Sequence, residues 1–558
     1  MRKLFVLVSA VLFAGTAPAW SKGGVVSAAD PRAAAAGQEI LRAGGSATDA
    51  ALAMMLALTV VEPQSSGIGG GGFLMVHQPG QREPYSIDGR ETAPASASPD
   101  LFLGSDGKRL DFRTVVPGGR SVGVPGNMAL MAMAHRKSGK LPWARLFQPA
   151  IRLADEGFVV TPRLAGALGQ MKGVWSDFPD ARAIYWQDGR PKQAGETVRN
   201  AELAATFRLL AKKGARAFYS GANAKAVASA VSNAPRNAVP MTVKDLAGYR
   251  AKVRKPVCMA YRVYRLCGMG PPSSGATTVF QVLGLLERFD MKALGKDSPE
   301  AWHLIAEAMQ LAYADRERYL GDADFVSVPV AGLLDKTYLA TRSASISSDK
   351  SLSAYEPGLP PGAAPRTAST TADVPGTTHF VAVDGRGQIA GMTSTVEGPF
   401  GSQLVVKGYV LNNELTDFSF VPEERGAPVA NRVEAGKRPL SSMAPTIVYG
   451  PDGKPVFTVG AAGGKTIIMQ VAKALIARLD WGMSASEAIA APMIYYSGGA
   501  IQVEAGTPLA AMAVPLAQRG HMVMAVDMPR LKANAAELTA QGWAGAADPR
   551  SEGVALSE

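Results

Sequence analysis

The residue with the most chemical promise in this chain is a threonine at the head of a strand-like run, Gly376-Thr377-Thr378-His379-Phe380. It follows the segment 351–376, which holds Pro357, Pro360, Pro361, Pro365 and Pro375 among Ala, Ser and Thr. Such a composition buries little and reads as a flexible connector. A cut between Gly376 and Thr377 makes Thr377 a new N-terminus. A Thr with a free α-amine carries nucleophile and general base in one residue, because an α-amine titrates near ~7.7–8.0 and accepts the hydroxyl proton at neutral pH. This is an amidase-type nucleophile that needs neither His nor metal. Taken alone, the same pair also reads as an ordinary Thr-Thr opening a strand, so the surroundings decide.

Downstream, residues 381–395 read as a strand, a Gly-bearing turn around Gly385 and Gly387, and a second strand. Thr395 therefore falls on the strand expected to pair with that of Thr377. Further motifs follow: Asn412-Asn413-Glu414-Leu415-Thr416-Asp417, then Lys437-Arg438-Pro439-Leu440-Ser441-Ser442, then Gly460 to Lys465 ahead of a helical pattern near Thr466. Upstream lie Asp49 to Val60, Gly67 to Phe73, Arg90-Glu91-Thr92-Ala93-Pro94, Val122 to Gly126, and Gly268 to Gly275 with its Pro271-Pro272-Ser273-Ser274 core.

These long, ordered motifs resemble the γ-glutamyltransferase (glutathione hydrolase) family of N-terminal-nucleophile hydrolases, and they run from Gly24 to beyond Gly464. The resemblance implies an α+β fold, a four-layer αββα sandwich. It also implies self-cleavage between Gly376 and Thr377 into a large subunit, 20–376, and a small subunit, 377–558, interlocked as one folded heterodimer. Thr377 is then the nucleophile, and Thr395 holds its hydroxyl. The backbone N–H groups of Gly463 and Gly464 meet the oxyanion. Arg90, Ser441 and Ser442 take a γ-glutamyl α-carboxylate, and Glu414 and Asp417 take its α-ammonium, with the opposite charges expected in separate places. The acyl group passes to water or to an amino acid or peptide.

Two departures bear on specificity. Many relatives carry Asn two residues after the position of Thr395, where this chain has Glu397; a third acid beside Glu414 and Asp417 attracts cations, yet clustered acids repel and favour keeping one protonated. The link from Asp417 to Ser441 is short and lacks Tyr, which predicts an open site tolerant of larger substrates. The rivals are an acylase cutting glutaryl-type side chains from β-lactam nuclei, an enzyme processing poly-γ-glutamate, and a non-catalytic periplasmic binding protein. A glutaryl donor lacks the ammonium that Glu397, Glu414 and Asp417 would hold.

The elements that position these residues follow from pattern. Ala33–Leu41 and Ala47–Val61 suit helices, with Gly44-Gly45 as the break and Ser46 as the cap. The glycines 67–72 precede a strand and lack Gly-Lys-Ser/Thr, so they read as tight backbone packing and not as a nucleotide loop. Glu300–Tyr319 has an amphipathic helix pattern and reads as core. Arg2 and Lys3 before the apolar run Leu4–Ala14, with Ala17-Pro18-Ala19, read as a signal peptide over 1–19 and a mature start at Trp20. No other apolar stretch approaches the ~20 residues that span a bilayer, which points to a periplasmic or secreted protein. The net charge of +11, dispersed along 558 residues, argues against nucleic-acid binding. The two cysteines, Cys258 and Cys267, flank a short hairpin pattern; they pair if the compartment is oxidising, or remain buried thiols. Five histidines without ligand spacing predict no metal, and no cofactor is expected.

Overall fold

The strands around Thr377 are buried along their whole length, as in a sheet covered on both faces. Successive side chains alternate between two apolar clusters: Phe380 and Ala382 enter one, Val381 and Val383 the other. In the computed structural model, which describes residues 19–21, 23–368, 376–497 and 499–558, these strands sit in the middle of a seven-stranded antiparallel sheet. Its order is Val554–Ser557, Val25–Ala28, Thr378–Val383, Ile389–Thr395, Gly71–His77, Tyr85–Asp88, Lys252–Arg254. A second seven-stranded sheet runs Ala19–Ser21, Gly542–Ala547, Lys532–Thr539, Pro455–Ala462, Thr446–Tyr449, Tyr264–Gly268, Val257–Tyr261. The strand Thr378–Val383 packs on Pro455–Ala462 and Lys532–Thr539 of this second sheet. The expected signal peptide falls, but for Ala19, outside the described residues.

The helices Pro31–Arg42 and Ala47–Val61 form where the pattern places them. The second packs on both strands of the Thr377 hairpin. Its N-terminus is closed by a capping box between Ser46 and Asp49 and by the hairpin turn itself. Thr48 N donates to Gln388 Oε1 at 2.8 Å and Ala47 N to Asp384 Oδ2 at 3.2 Å. Donors that a helix leaves unpaired thus fix the hairpin to the helix. The glycine run does lead into a strand, Gly71–His77. At Gly70 a Cβ would stand 1.9 Å from the carbonyl oxygen of Thr395, so only Gly fits there.

One expectation is corrected. The helix Pro299–Tyr319 is core, as expected, and even its polar His303, Glu307, Gln310, Asp315 and Arg316 are buried, some of them under the chain that leads to Gly376. That chain is not a loose connector up to residue 368. Leu352 N donates to Glu307 at 3.0 Å, Gly358 N to Asp315 at 2.7 Å, and Tyr319 donates its hydroxyl proton to the Gly358 carbonyl at 2.6 Å. Buried carboxylates supply the partners that its composition lacks; residues 369–375 lie outside the described residues. Cys258 and Cys267 face each other in the antiparallel pair Val257–Tyr261 and Tyr264–Gly268 and form a disulfide. Among the described residues, no helix is long and apolar enough to cross a membrane.

Candidate active site

Thr377 sits one residue before its strand, and Thr395 ends the partner strand. Register therefore brings their hydroxyls together: Thr377 Oγ1 donates to Thr395 Oγ1 at 3.1 Å, and Thr395 Oγ1 also accepts from Glu397 N at 2.8 Å. The backbone N–H of Thr377 points to the Ser65 carbonyl at 3.2 Å. Behind Ser65, the buried Lys532 donates to Ser65 Oγ at 3.1 Å and pairs with Glu62. Thr377 holds φ at 80° and Glu397 at 76°, left-handed values that cost a side-chain-bearing residue about 1–3 kcal/mol. The backbones crowd here as well, since a Cβ on Gly376 would lie 1.5 Å from the Glu397 carbonyl oxygen.

Thr377, Thr395, Arg90, Glu397, Glu414, Asp417, Ser441, Ser442 and Gly464 all line one void. Its volume is about 30 Å³, and charged side chains occupy the space around it. Arg90 pairs with Glu414, and its Nη2 donates to Asp417 at 2.5 Å and to the Leu440 carbonyl at 2.8 Å. The positive and negative groups expected apart are in contact, each neutralising the other.

Four acids meet here, not three. Glu91 is buried next to Arg90, and neither of its carboxyl oxygens has a donor, nor does Glu414 Oε2. Burial raises the pKa of both Glu91 and Glu414, opposed by Arg90. A proton held between them supplies the missing donor and relieves the repulsion. Burial pulls the Arg90 guanidinium down, but Glu414 and Asp417 outweigh it and hold it above its ordinary value. Asn413 Nδ2 donates to the Glu397 carboxylate.

Gly464 and Gly463 precede the helix Thr466–Leu479, as expected. Only Gly464 lines the void; Gly463 faces a neighbouring cavity with Tyr495, and Gly376 faces another with Ser65 and Lys532. Two cations in the void wall escaped the sequence reading. Arg316 donates to Ser442 Oγ at 3.0 Å and Glu317 Oε1 at 2.7 Å, and Lys465 Nζ reaches the same Glu317 oxygen at 2.9 Å. Arg316 lies inside a helix pattern that gave no sign of the site. His379, beside the nucleophile, is buried, its pKa lowered to about 3 by burial, and bonded to Thr393 Oγ1 at 2.8 Å. It is a neutral packing residue. The histidines are not all scattered, as the spacing suggested: His303, Glu307 and His521 converge, with His303 Nδ1 and His521 Nε2 2.7 Å apart and Glu307 held by Leu352 N and Tyr355.

A threonine hydroxyl set at a strand start between two antiparallel sheets is an arrangement that an N-terminal-nucleophile hydrolase requires. The chain belongs to the gamma-glutamyltranspeptidase family, whose model matches residues 33–557, and it is an enzyme of that family. It is 38% identical over 497 residues to the glutathione hydrolase proenzyme of Bacillus subtilis (strain 168), across 87% of this chain and 83% of that protein. It is 35% identical over 522 residues to the acylase ACY 1 proenzyme of Pseudomonas sp. (strain SE83), across 92% and 89%. The solved cephalosporin acylase from Bacillus halodurans superposes with a TM-score of 0.87 at 27% identity, covering 100% of this chain and 99% of that one.

Proposed function

We propose that this protein is an autoprocessing γ-glutamyltransferase and glutathione hydrolase that works through an acyl-enzyme on Thr377. The observation that carries the reading is the Thr377–Thr395 hydroxyl contact of 3.1 Å in a void that also holds a zwitterion's complement, Arg90 with Glu414 and Asp417. Maturation begins when Thr377 Oγ attacks the Gly376 carbonyl. The C–N bond breaks as an ester forms, the Thr377 nitrogen takes up the hydroxyl proton and becomes a free α-amine, and water then cleaves the ester to the Gly376 carboxylate and the Thr377 hydroxyl. The left-handed Thr377 backbone stores strain that this step relieves. Residues 20–376 and 377–558 then remain as the two subunits of one αββα unit, with the signal peptide removed outside the cytoplasm. The Cys258–Cys267 disulfide suits that compartment.

In turnover the substrate's α-carboxylate takes Arg90, Ser441 and Ser442, while its α-ammonium takes Glu414, Asp417 and Glu397. The zwitterion takes over the resting contacts of Arg90 with Glu414 and Asp417, its carboxylate going to Arg90 and its ammonium to the acids. A glutaryl group brings no ammonium and strands the acids, which favours γ-glutamyl over glutaryl donors. Thr377 Oγ attacks the γ-carbonyl, its proton passing to the α-amine and then to the leaving amine. The Gly463 and Gly464 N–H groups stabilise the oxyanion, at about 2.7–4 kcal/mol per donor. Water or an acceptor amine resolves the ester. The test compares initial rates on γ-glutamyl and glutaryl anilides, with Thr377→Ala alongside. Wild type prefers the γ-glutamyl donor, and the Ala variant stays one intact chain without turnover. A glutaryl preference, or a cleaved and active Ala variant, sinks the reading.

A further inference from the structure

We propose that His303, Glu307 and His521 form a structural zinc site that clamps the chain before the expected cut to the chain after it. Binding of the ion stands apart from the γ-glutamyl reading; only its bridging of two polypeptides rests on cleavage between Gly376 and Thr377. All three side chains are buried, and one ligand atom of each falls within 4.8 Å of the others. His303 and Glu307 stand four residues apart on the helix Pro299–Tyr319, which puts them on one face. His521 comes from beyond the cut, its ring 4.9 Å from that of His303.

Neighbouring groups prepare the ligand atoms. His303 Nε2 lies 2.9 Å from the Ser347 carbonyl, which can only accept, so Nε2 carries the proton and Nδ1 turns its lone pair inward. Leu352 N donates to Glu307 Oε2 at 3.0 Å, and the Tyr355 hydroxyl donates to Oε1. Such donors orient a ligating carboxylate. What the carboxylate lacks is a cation. Among the described residues its one basic partner is His521, whose Nε2 is 3.7 Å away and turned toward His303 Nδ1 at 2.7 Å. A buried carboxylate left so weakly paired is costly. The charge of Arg519 nearby is opposed by Glu300 and Asp349. Zinc bonds of about 2.0–2.2 Å set tetrahedral donors about 3.3 Å apart, a spacing that the 2.7 and 3.7 Å contacts straddle. With the His521 proton on Nδ1, both imidazoles give the ion a lone pair. His521 also borders a large cavity, from which water takes the fourth position.

Untagged protein, stripped with a chelator and dialysed, is titrated with zinc chloride by calorimetry. Wild type is expected to bind one ion per chain, and its Tm to rise with zinc. His303→Phe and His521→Phe each weaken binding about a hundredfold, Tyr355→Phe about tenfold, and His135→Gln leaves it unchanged. X-ray absorption at the zinc edge of loaded wild type reads the donors without any substitution, and two imidazoles with oxygen ligands are expected. No binding, a donor set with fewer than two imidazoles, or wild-type affinity in both Phe variants overturns the site. In cleaved protein, zinc should raise the denaturant concentration at which the two polypeptides part; no shift overturns the clamp. A chain found uncut sinks the cleavage reading instead, and the titration still decides the site.

Discussion

At the residue scale the site is organised by a shortage of positive charge. Arg90 alone touches Glu414 and Asp417, and Glu91 and Glu397 stand close by. Burial, first, pushes the Glu91 pKa up and favours its neutral form, with Asp417 adding to this and Arg90 and a bond to Glu414 opposing. A raised folded-state pKa contributes stability that is full below the unfolded value, ~4.3, and is lost as pH rises through the folded value. Tm therefore declines from mildly acidic toward about pH 8. Glu91→Gln, which mimics the neutral acid, flattens that decline; melting curves of both proteins from pH 5 to 8 check it, and parallel slopes would refute a protonated Glu91. The sequence pointed to Thr377, Thr395 and the charged residues that the structure gathers around them, because each lies in a motif with its own chemistry. Glu91 stood in such a motif but without a role, since its burial between Gly71 and Gly123 is a tertiary fact. Arg316 was invisible, and Lys465 closed a quoted motif without a role, for a related reason: a cation inside or before a helix is normally solvated, and only packing turns these two inward.

At the element scale, the hairpin that Thr377 leads into is held at both ends. Its turn caps the helix Ala47–Val61 through Asp384 and Gln388, and its site end is pressed against the glycine run. Gly70→Ala forces a methyl group into the Thr395 carbonyl, 1.9 Å away, which must push the strand end outward. Overpacking of this kind costs about 1–3 kcal/mol, and it also moves the hydroxyl that accepts the Thr377 hydrogen bond. The variant should melt lower and mature more slowly than wild type. A time course of chain cleavage together with a thermal melt reads both, and a variant matching wild type in each would remove the glycine run from the positioning of Thr395. These elements were legible: helix periodicity, the Ser46 cap and the Gly-bearing turn are local signals. The course of residues 351–368 was not, because nothing in a Pro- and Ala-rich stretch announces that buried Glu307 and Asp315 will bind its backbone.

At the scale of the whole molecule, the position of the expected cut in the two sheets decides what the cut can do. In the first sheet Val25–Ala28 is clamped between Val554–Ser557 and Thr378–Val383, and Gly71–His77 pairs with Ile389–Thr395. In the second, Tyr264–Gly268 pairs with Thr446–Tyr449, so strands from either side of Gly376 hydrogen-bond in both sheets. Neither part owns a complete sheet or either apolar cluster, since each cluster draws residues from before and after the cut. Pulling the parts asunder would break those ladders and expose both cores, a cost on the scale of unfolding itself. Cleavage should therefore leave the hydrodynamic size unchanged. Gel filtration in native buffer is expected to give one peak at the mass of the intact chain, containing two polypeptides that separate only in denaturant. Heat should melt them in one transition, because the cores are shared. Two peaks in native buffer, or two independent melts, would show that the parts are separate domains and that the interleaved strands do not hold them.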